Sequence, residues 1–327
     1  MALKGKIELY NGMYAQAAET LKEVIDLKDE NGALRYDLYP LYRELFLPQN
    51  EDNCEVIFDI QYMKNAYSQG LSHQLYTFTY EWNSYCPTSA LAESYYTKNG
   101  YPVSWNAETQ LYESADPAFD PTYPYKDRDP RLDQSIIMPG TDNGRGAIFL
   151  PSSSNHTGMK IRKWNDYTET EKNNSEHNII LIRFADVLLM RAEALVESGT
   201  FDEAEVRGLI DRVRQRPSVM MPKVEDIEGT ELDANALRAI IRHERRVEFA
   251  FEGTRVSDIR RWRIGPEVMT DAYGYKYQDV RLNPPKYIPY KVDTRSFNPN
   301  RDYLWPIPQN EINTNPFINA PDQNPGY

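Results

Sequence analysis

At 327 residues the chain is long enough to bury a substantial core, as one large domain or two modest ones. Its 37 basic and 49 acidic side chains leave a net charge of −12, which argues against nucleic acid and anionic membrane as partners, since both reward the opposite sign. No run of 18 apolar residues occurs, and Cys54 and Cys86 are too few for a disulfide framework and fit no zinc spacing, leaving two free thiols or a single bridge.

The chain opens as helix. Leu3, Ile7, Tyr10 and Tyr14 keep helical spacing, followed by Ala18, Leu21 and Ile25 on a second helix. The opening MALKGKIELY has neither the apolar stretch nor the small-residue cleavage site of a signal peptide. Residues 55–62 (EVIFDIQY) alternate Val56, Phe58 and Ile60 with Ile57, Asp59 and Gln61, the pattern of a short strand. From there to residue 178, Gly, Pro, Asn and Ser break every periodicity, so loops and short strands such as 147–150 are expected.

This loop-rich stretch carries Tyr76, Tyr80, Trp82, Tyr85, Tyr95, Tyr96, Tyr101 and Trp105, a large share of the aromatic residues of a tyrosine-rich chain. Flat rings suit the apolar faces of sugars, and neighbouring Asn, Asp and Arg can reach hydroxyls; the plainer reading packs each ring between loop and scaffold. Trp82, Tyr85, Tyr76 and Trp105, with Asn83 as a polar partner, are the candidate ligand contacts. The acid-rich stretch 116–133 lacks the residue order of a calcium loop and reads as a solvated loop.

Helical period returns at RFADVLLMRAEALVESG (183–199), where Phe184, Val187, Leu188, Leu189, Ala192, Leu195 and Val196 go almost all the way round, so neighbours must bury it. Thr200 and Glu203 have capping-box spacing at the start of a further helix, whose stripe is Val206, Leu209, Ile210 and Val213 and which Pro217 ends. A helix, a Gly-centred turn and a second helix form the unit of a tetratricopeptide-like array. The unit recurs: Gly12, Tyr14 and Ala17 match Gly199, Phe201 and Ala204, as turn, wedge and close-approach positions. Unrelated helical hairpins remain the alternative.

A helix over 237–251 gathers Leu237, Ile240, Ile241, Val247 and Phe251 on one face, with Glu244 inside that face and Glu248 at its edge. Carboxylates at i and i+4 can bind metal, but the bundle-type site wants Glu-x-x-His, and Val247 stands where the His would be. Pairing with arginines of a neighbouring helix, Arg183 and Arg191 being candidates, fits a buried carboxylate better. The cluster Arg255, Arg260, Arg261 and Arg263 is expected to pair with surplus acids. No nucleophile elbow, zincin motif or phosphate loop occurs, His73, His156, His177 and His243 are isolated, and no cofactor is indicated. Ten of the 22 prolines follow residue 265, so the tail is expected to be extended coil wrapped on the helices.

Four ordered blocks then carry a resemblance to the SusD/RagB family, the surface glycan-binding lipoproteins of Bacteroidetes outer membranes. They are PTSALAESYYTKNG with DPRL and IIMPG (87–140); IILIRFADVLLMRAEALVESG (179–199), with Asp186 where the family has Glu; HERRVEFAFEGTRVSDIRRW (243–262), with Val256 and Ser257 in place of an aromatic pair; and LWPIPQNEINTNP with the closing QNPGY. The resemblance implies a mainly α fold, a right-handed superhelix of tetratricopeptide-like helix pairs with a loop-rich segment containing short strands. It implies one domain, 1–327, lacking its N-terminal part: a helix pair at 1–30, a ligand-facing segment at 55–178, further helices at 179–262 and a Pro-rich wrapping tail at 263–327. The implied role is non-catalytic capture of an oligosaccharide or polysaccharide and its delivery to a TonB-dependent, SusC-like outer-membrane transporter. The implied place is the surface of the outer membrane, with signal and acylated Cys on the missing portion. A protein-interaction scaffold taking a peptide or glycopeptide is the alternative; a glycosidase, which needs two suitably placed carboxylates, is a third.

Overall fold

The structure, a computed structural model, describes residues 1–70, 85–169, 171 and 173–327. Helices α1 (Ala2–Tyr10) and α2 (Tyr14–Ile25) fold back on each other across Gly12, whose φ of 73° suits a residue without Cβ. The inward face of α1 is not the expected one. Ala2, Gly5, Glu8 and Leu9 are buried, whereas Leu3 and Ile7 are 52 and 53% exposed. Gly5 explains the rotation: a Cβ there would lie 2.7 Å from the Leu21 side chain, so the bare glycine lets α2 approach on that side.

Strand β1 (Val56–Ile60) forms where the alternation placed it and pairs antiparallel, with a bulged register, to β6 (Ile179–Arg183). Between them lie α3 (Ser89–Ser94), the hairpin β2 (Ser104–Asn106) and β3 (Leu111–Glu113), α4 (Arg131–Ser135), and the short pair β4 (Ile136–Ile137) and β5 (Lys160–Ile161). The strand expected at 147–150 is a single bridge, Asp142 to Ile148; the Asn143 side chain accepts from the Arg145 backbone, and the resulting turn leaves no length to pair.

Helix α5 (Phe184–Glu197) is buried at every position from Phe184 to Val196, packed by α1, α2, α6 (Glu203–Arg214) and a later helix, α8. Gly199 turns with φ 78°, as Gly12 does. The cap of α6 is Asp202, which accepts from the Ala204 amide at 2.9 Å, and not the expected Thr200–Glu203 box. The repeat also diverges at its third position, since Ala17 is buried and Ala204 exposed. After α7 (Val224–Glu228), α8 (Ala234–Glu248) starts at an Asp233 cap and stops three residues short of the expected end, with Phe251 outside it at a φ of 64°.

The tail departs from plain coil. It carries α9 (Arg255–Arg261), α10 (Gly265–Val268), β7 (Ala272–Tyr275), α11 (Tyr277–Val280), β8 (Pro289–Asp293) and α12 (Gln309–Thr314), with β7 and β8 antiparallel. Gly274 permits this sheet to lie flush on the loops, because a Cβ there would meet Thr157 Cα at 2.5 Å. The basic cluster also pairs differently. Arg261 does meet Glu193 and Asp258, but Arg260 stacks on Trp305 and Arg263 on Tyr303, each at 4.2 Å, pinning the tail by cation–π contact.

Two cores result. The helices share one, around α5; Tyr95, Tyr112, Tyr125, Tyr275 and Tyr287 dominate the other, with α8 lending it Val247. A buried ionic lattice lies between them. Glu244 accepts from Arg131 Nη1 (2.5 Å) and Arg214 Nε (2.9 Å); Glu248 accepts from Arg183 (2.8 Å), Arg216 (3.0 Å) and Arg131 (2.9 Å). Arg183 therefore fills its expected role, from the end of β6, whereas Arg191 binds the Ala18 carbonyl and Glu205 instead. Glu55 closes the lattice by accepting from Arg183 and Arg216. Each carboxylate is held below its ordinary pKa: burial is the largest single influence and would raise it, and the guanidiniums together outweigh it. Cys54 and Cys86 are not joined in a disulfide.

Candidate ligand-binding site

Above the end of β6 the surface opens into a cleft of about 740 Å³. Ile179, Ile180 and Leu181 form one wall; Tyr10 and Lys6 of α1 form another; Trp164, Phe251 and Tyr85 supply rings. Its volume and mainly apolar lining are those of a pocket for a small ligand.

The floor is rigid and strained. Trp164 and Phe251 both adopt left-handed backbone, φ 67° and 64°, which costs a non-glycine residue ~1–2 kcal/mol. The Trp164 indole N–H donates to the Phe251 carbonyl at 3.1 Å, tying the two distorted turns together. Behind Trp164 stand Phe46 (4.7 Å between centroids) and His177 (5.5 Å). Glu252 is anchored to Arg183 Nε (2.7 Å) and Lys163 Nζ (2.6 Å), and burial brings the Lys163 ammonium down to about 8. The ionic lattice thus supports the cleft from below. Thr254 and Ser257 bring hydroxyls to its rim, and the Thr254 side chain makes no capping bond to α9. Such a surface offers aromatic rings for stacking against a sugar and short polar groups to meet its hydroxyls.

The sequence-derived candidates divide. Tyr85, 57% exposed, lines this cleft. Trp105 does not: it pairs across the β2–β3 hairpin with Tyr112, ring centroids 5.2 Å apart, and lines a separate concavity of about 340 Å³ with Pro284 and Tyr287. Tyr76, Trp82 and Asn83 lie outside the described residues. Sequence reasoning missed Tyr10, Trp164, Phe251 and Ser257. Three had helical or loop contexts resembling core, and nothing local marks left-handed backbone at a Trp or Phe. Ser257 carried a signal, as the small residue in a block where an aromatic pair is usual.

Comparison with known proteins places this helical array in a family. The model of the SusD family matches residues 54–327, and the chain belongs to that family. It is 27% identical, over its whole length, to SusD-like protein P2 of Formosa agariphila, of which it spans 58%. It superposes with a TM-score of 0.79 on a SusD-like carbohydrate binding protein from Bacteroides fragilis NCTC 9343, 30% identical, with 95% of this chain and 62% of that one covered. A second SusD-like protein of that strain gives a TM-score of 0.79 at 29% identity, covering 100% of this chain and 64% of the other. The chain thus spans less than two thirds of the length of each of these relatives.

Proposed function

We propose that the chain binds an oligosaccharide or polysaccharide in the cleft beside Tyr85, without cleaving it, and hands it to a TonB-dependent transporter at the outer-membrane surface. The cleft carries this reading: about 740 Å³, apolar walls, rings and rim hydroxyls, in a family with a carbohydrate-binding relative at 30% identity. Tyr85, with Tyr76, Trp82 and Asn83 shortly before it in sequence, is proposed as the first set of ligand contacts, making 55–178 the ligand-facing segment, and Trp105 as a second, separate contact point. Each ring stack is worth ~1 kcal/mol, so three or four give affinity near ~1 mM, suited to a protein that passes its ligand on.

Affinity electrophoresis through gels carrying a panel of polysaccharides, with reducing ends assayed on the same samples, tests the reading. Wild type is expected to be retarded by at least one glycan without new reducing ends. Ser257→Trp, which fills the rim with a large ring, is expected to abolish that retardation while leaving the melting curve unchanged. Undiminished retardation of the Ser257→Trp protein would remove this cleft from the proposal, and new reducing ends would turn the reading to a glycosidase. The scaffold alternative draws on Trp305 and Phe317, 69 and 88% exposed on the tail, a surface fit for a protein partner.

A further inference from the structure

The turn at 251–254 has two sides. On the side away from Tyr85 it borders a second cavity, of about 300 Å³, with Phe251, Gly253 and Thr254 common to both linings. Four arginines line this second cavity; Arg245 is held by Asp186 and Asp258, which leaves Arg246 of α8, Arg255 of α9 and Arg295 after β8. Arg246 and Arg255 come from successive helices and Arg295 from the much later segment after β8, so the fold brings Arg295 to the other two.

Their charges are not answered locally. The Arg246 guanidinium donates to the Ala90 carbonyl at 2.6 Å, and Arg295 Nε to the Thr270 carbonyl at 2.8 Å. Among the described residues, none of the three is within ion-pair distance of a carboxylate. The carboxylate that lines the cavity, Asp258, is already held by Arg245 Nε (3.0 Å) and Arg261 Nη2 (2.8 Å). Glu93, whose charge reaches Arg246, accepts from the Tyr112 hydroxyl at 2.8 Å. Burial first, and then Arg255 and Arg295, bring the Arg246 guanidinium down to about 10 against the opposing pull of Glu93. In a chain of net charge −12 this shortage of ion-pair partners is local. Leu91, Phe249, Ile259 and Met269 surround the arginines with apolar wall, which strengthens any charge–charge contact made there.

We propose that this cavity is an anion site that receives the carboxylate or sulfate of an acidic saccharide whose neighbouring rings lie in the Tyr85 cleft. The planar fork of a guanidinium matches both groups in bidentate fashion, and three forks around one cavity select an oxyanion over a hydroxyl. This rests on the glycan-capture reading and narrows it to uronic-acid or sulfated polymers.

Titration calorimetry with polygalacturonate, dextran sulfate and uncharged dextran, on wild type, Arg255→Gln and Arg255→Gln/Arg295→Gln, tests it. The single variant removes a side chain without an ion pair, so it keeps the test open should the double variant fail to fold. Expected is binding of at least one acidic polymer, weakened about tenfold in the single variant and further in the double, and weakened in wild type by raising salt. Polygalacturonate alone would assign a carboxylate, dextran sulfate alone a sulfate. Acidic-polymer binding that the variants leave intact would overturn the site. So would binding of dextran or another neutral glycan without any acidic polymer, an outcome that leaves glycan capture standing. Binding of none of these, nor of any glycan in the electrophoresis panel, would sink both.

Discussion

His177 shows how one side chain can tune the cleft from behind. Burial lowers its pKa from 6.5 to about 4, so the folded state holds a neutral imidazole against Trp164. The unfolded chain takes up a proton at this residue between those two values and the folded chain does not. Its contribution to stability is therefore whole above about pH 6.5 and lost as pH falls towards 4, a gap worth about 3 kcal/mol. His177→Gln is expected to flatten that limb: urea melts at pH 7 and pH 4.5 should differ less in the variant, by roughly 2–3 kcal/mol. Equal slopes would show that His177 is charged in the fold. At this scale the sequence was partly legible. That Glu244 and Glu248 needed arginines followed from their place on an apolar helix face. Of the arginines that answered, Arg183 was legible and the rest were not, because Arg131, Arg214 and Arg216 reach them from α4 and from the end of α6, a matter of chain path.

Between residues and whole chain, the helix pairs are where pattern and packing can be compared. Helices α5 and α6 followed from apolar period, since a helix apolar all round has one place to go. The rotation of α1 was hidden, because Leu3 and Ile7 look like a core face and Gly5 like an interruption. Packing density decided otherwise: the flattest side of α1 gives the closest approach to α2. Gly5→Ala should then be costly although alanine is the better helix former, with a loss of about 1–3 kcal/mol in thermal or urea unfolding, whereas Gly208→Ala on α6, with open space around it, should be neutral or stabilising. If Gly5→Ala were also stabilising, the close pairing of α1 with Leu21 would be wrong. The sheet in the tail was illegible for a related reason. Prolines argue against strands in general, yet β8 begins at Pro289, at a strand end where a missing N–H is tolerated.

Across the whole molecule, the lattice around Glu248 and the contacts of α8, Val247 and His243 among them, join a helical core to a tyrosine-rich one. Far-UV dichroism reports chiefly the helices, and tryptophan fluorescence, in a background with Trp262 and Trp305 replaced by Phe, reports the loop-rich part, Trp105 and Trp164 included. In that background the two unfolding curves are expected to coincide, as for one cooperative unit. Glu248→Ala leaves Arg183, Arg216 and Arg131 short of a shared acceptor, a loss of about 3–5 kcal/mol, and is expected to draw the fluorescence midpoint below the dichroism midpoint. Coincident curves in that variant would mean that apolar contact alone couples the cores. The ridge at 251–257 stands apart from this lattice in one respect. Val256 and Ser257 are exposed, one bordering each concavity, and exposed positions usually accept exchange within about 0.5 kcal/mol. Two adjacent codons can thus reshape both openings while the scaffold beneath is left alone, so that under the proposed function a lineage has a short mutational path from one glycan to another.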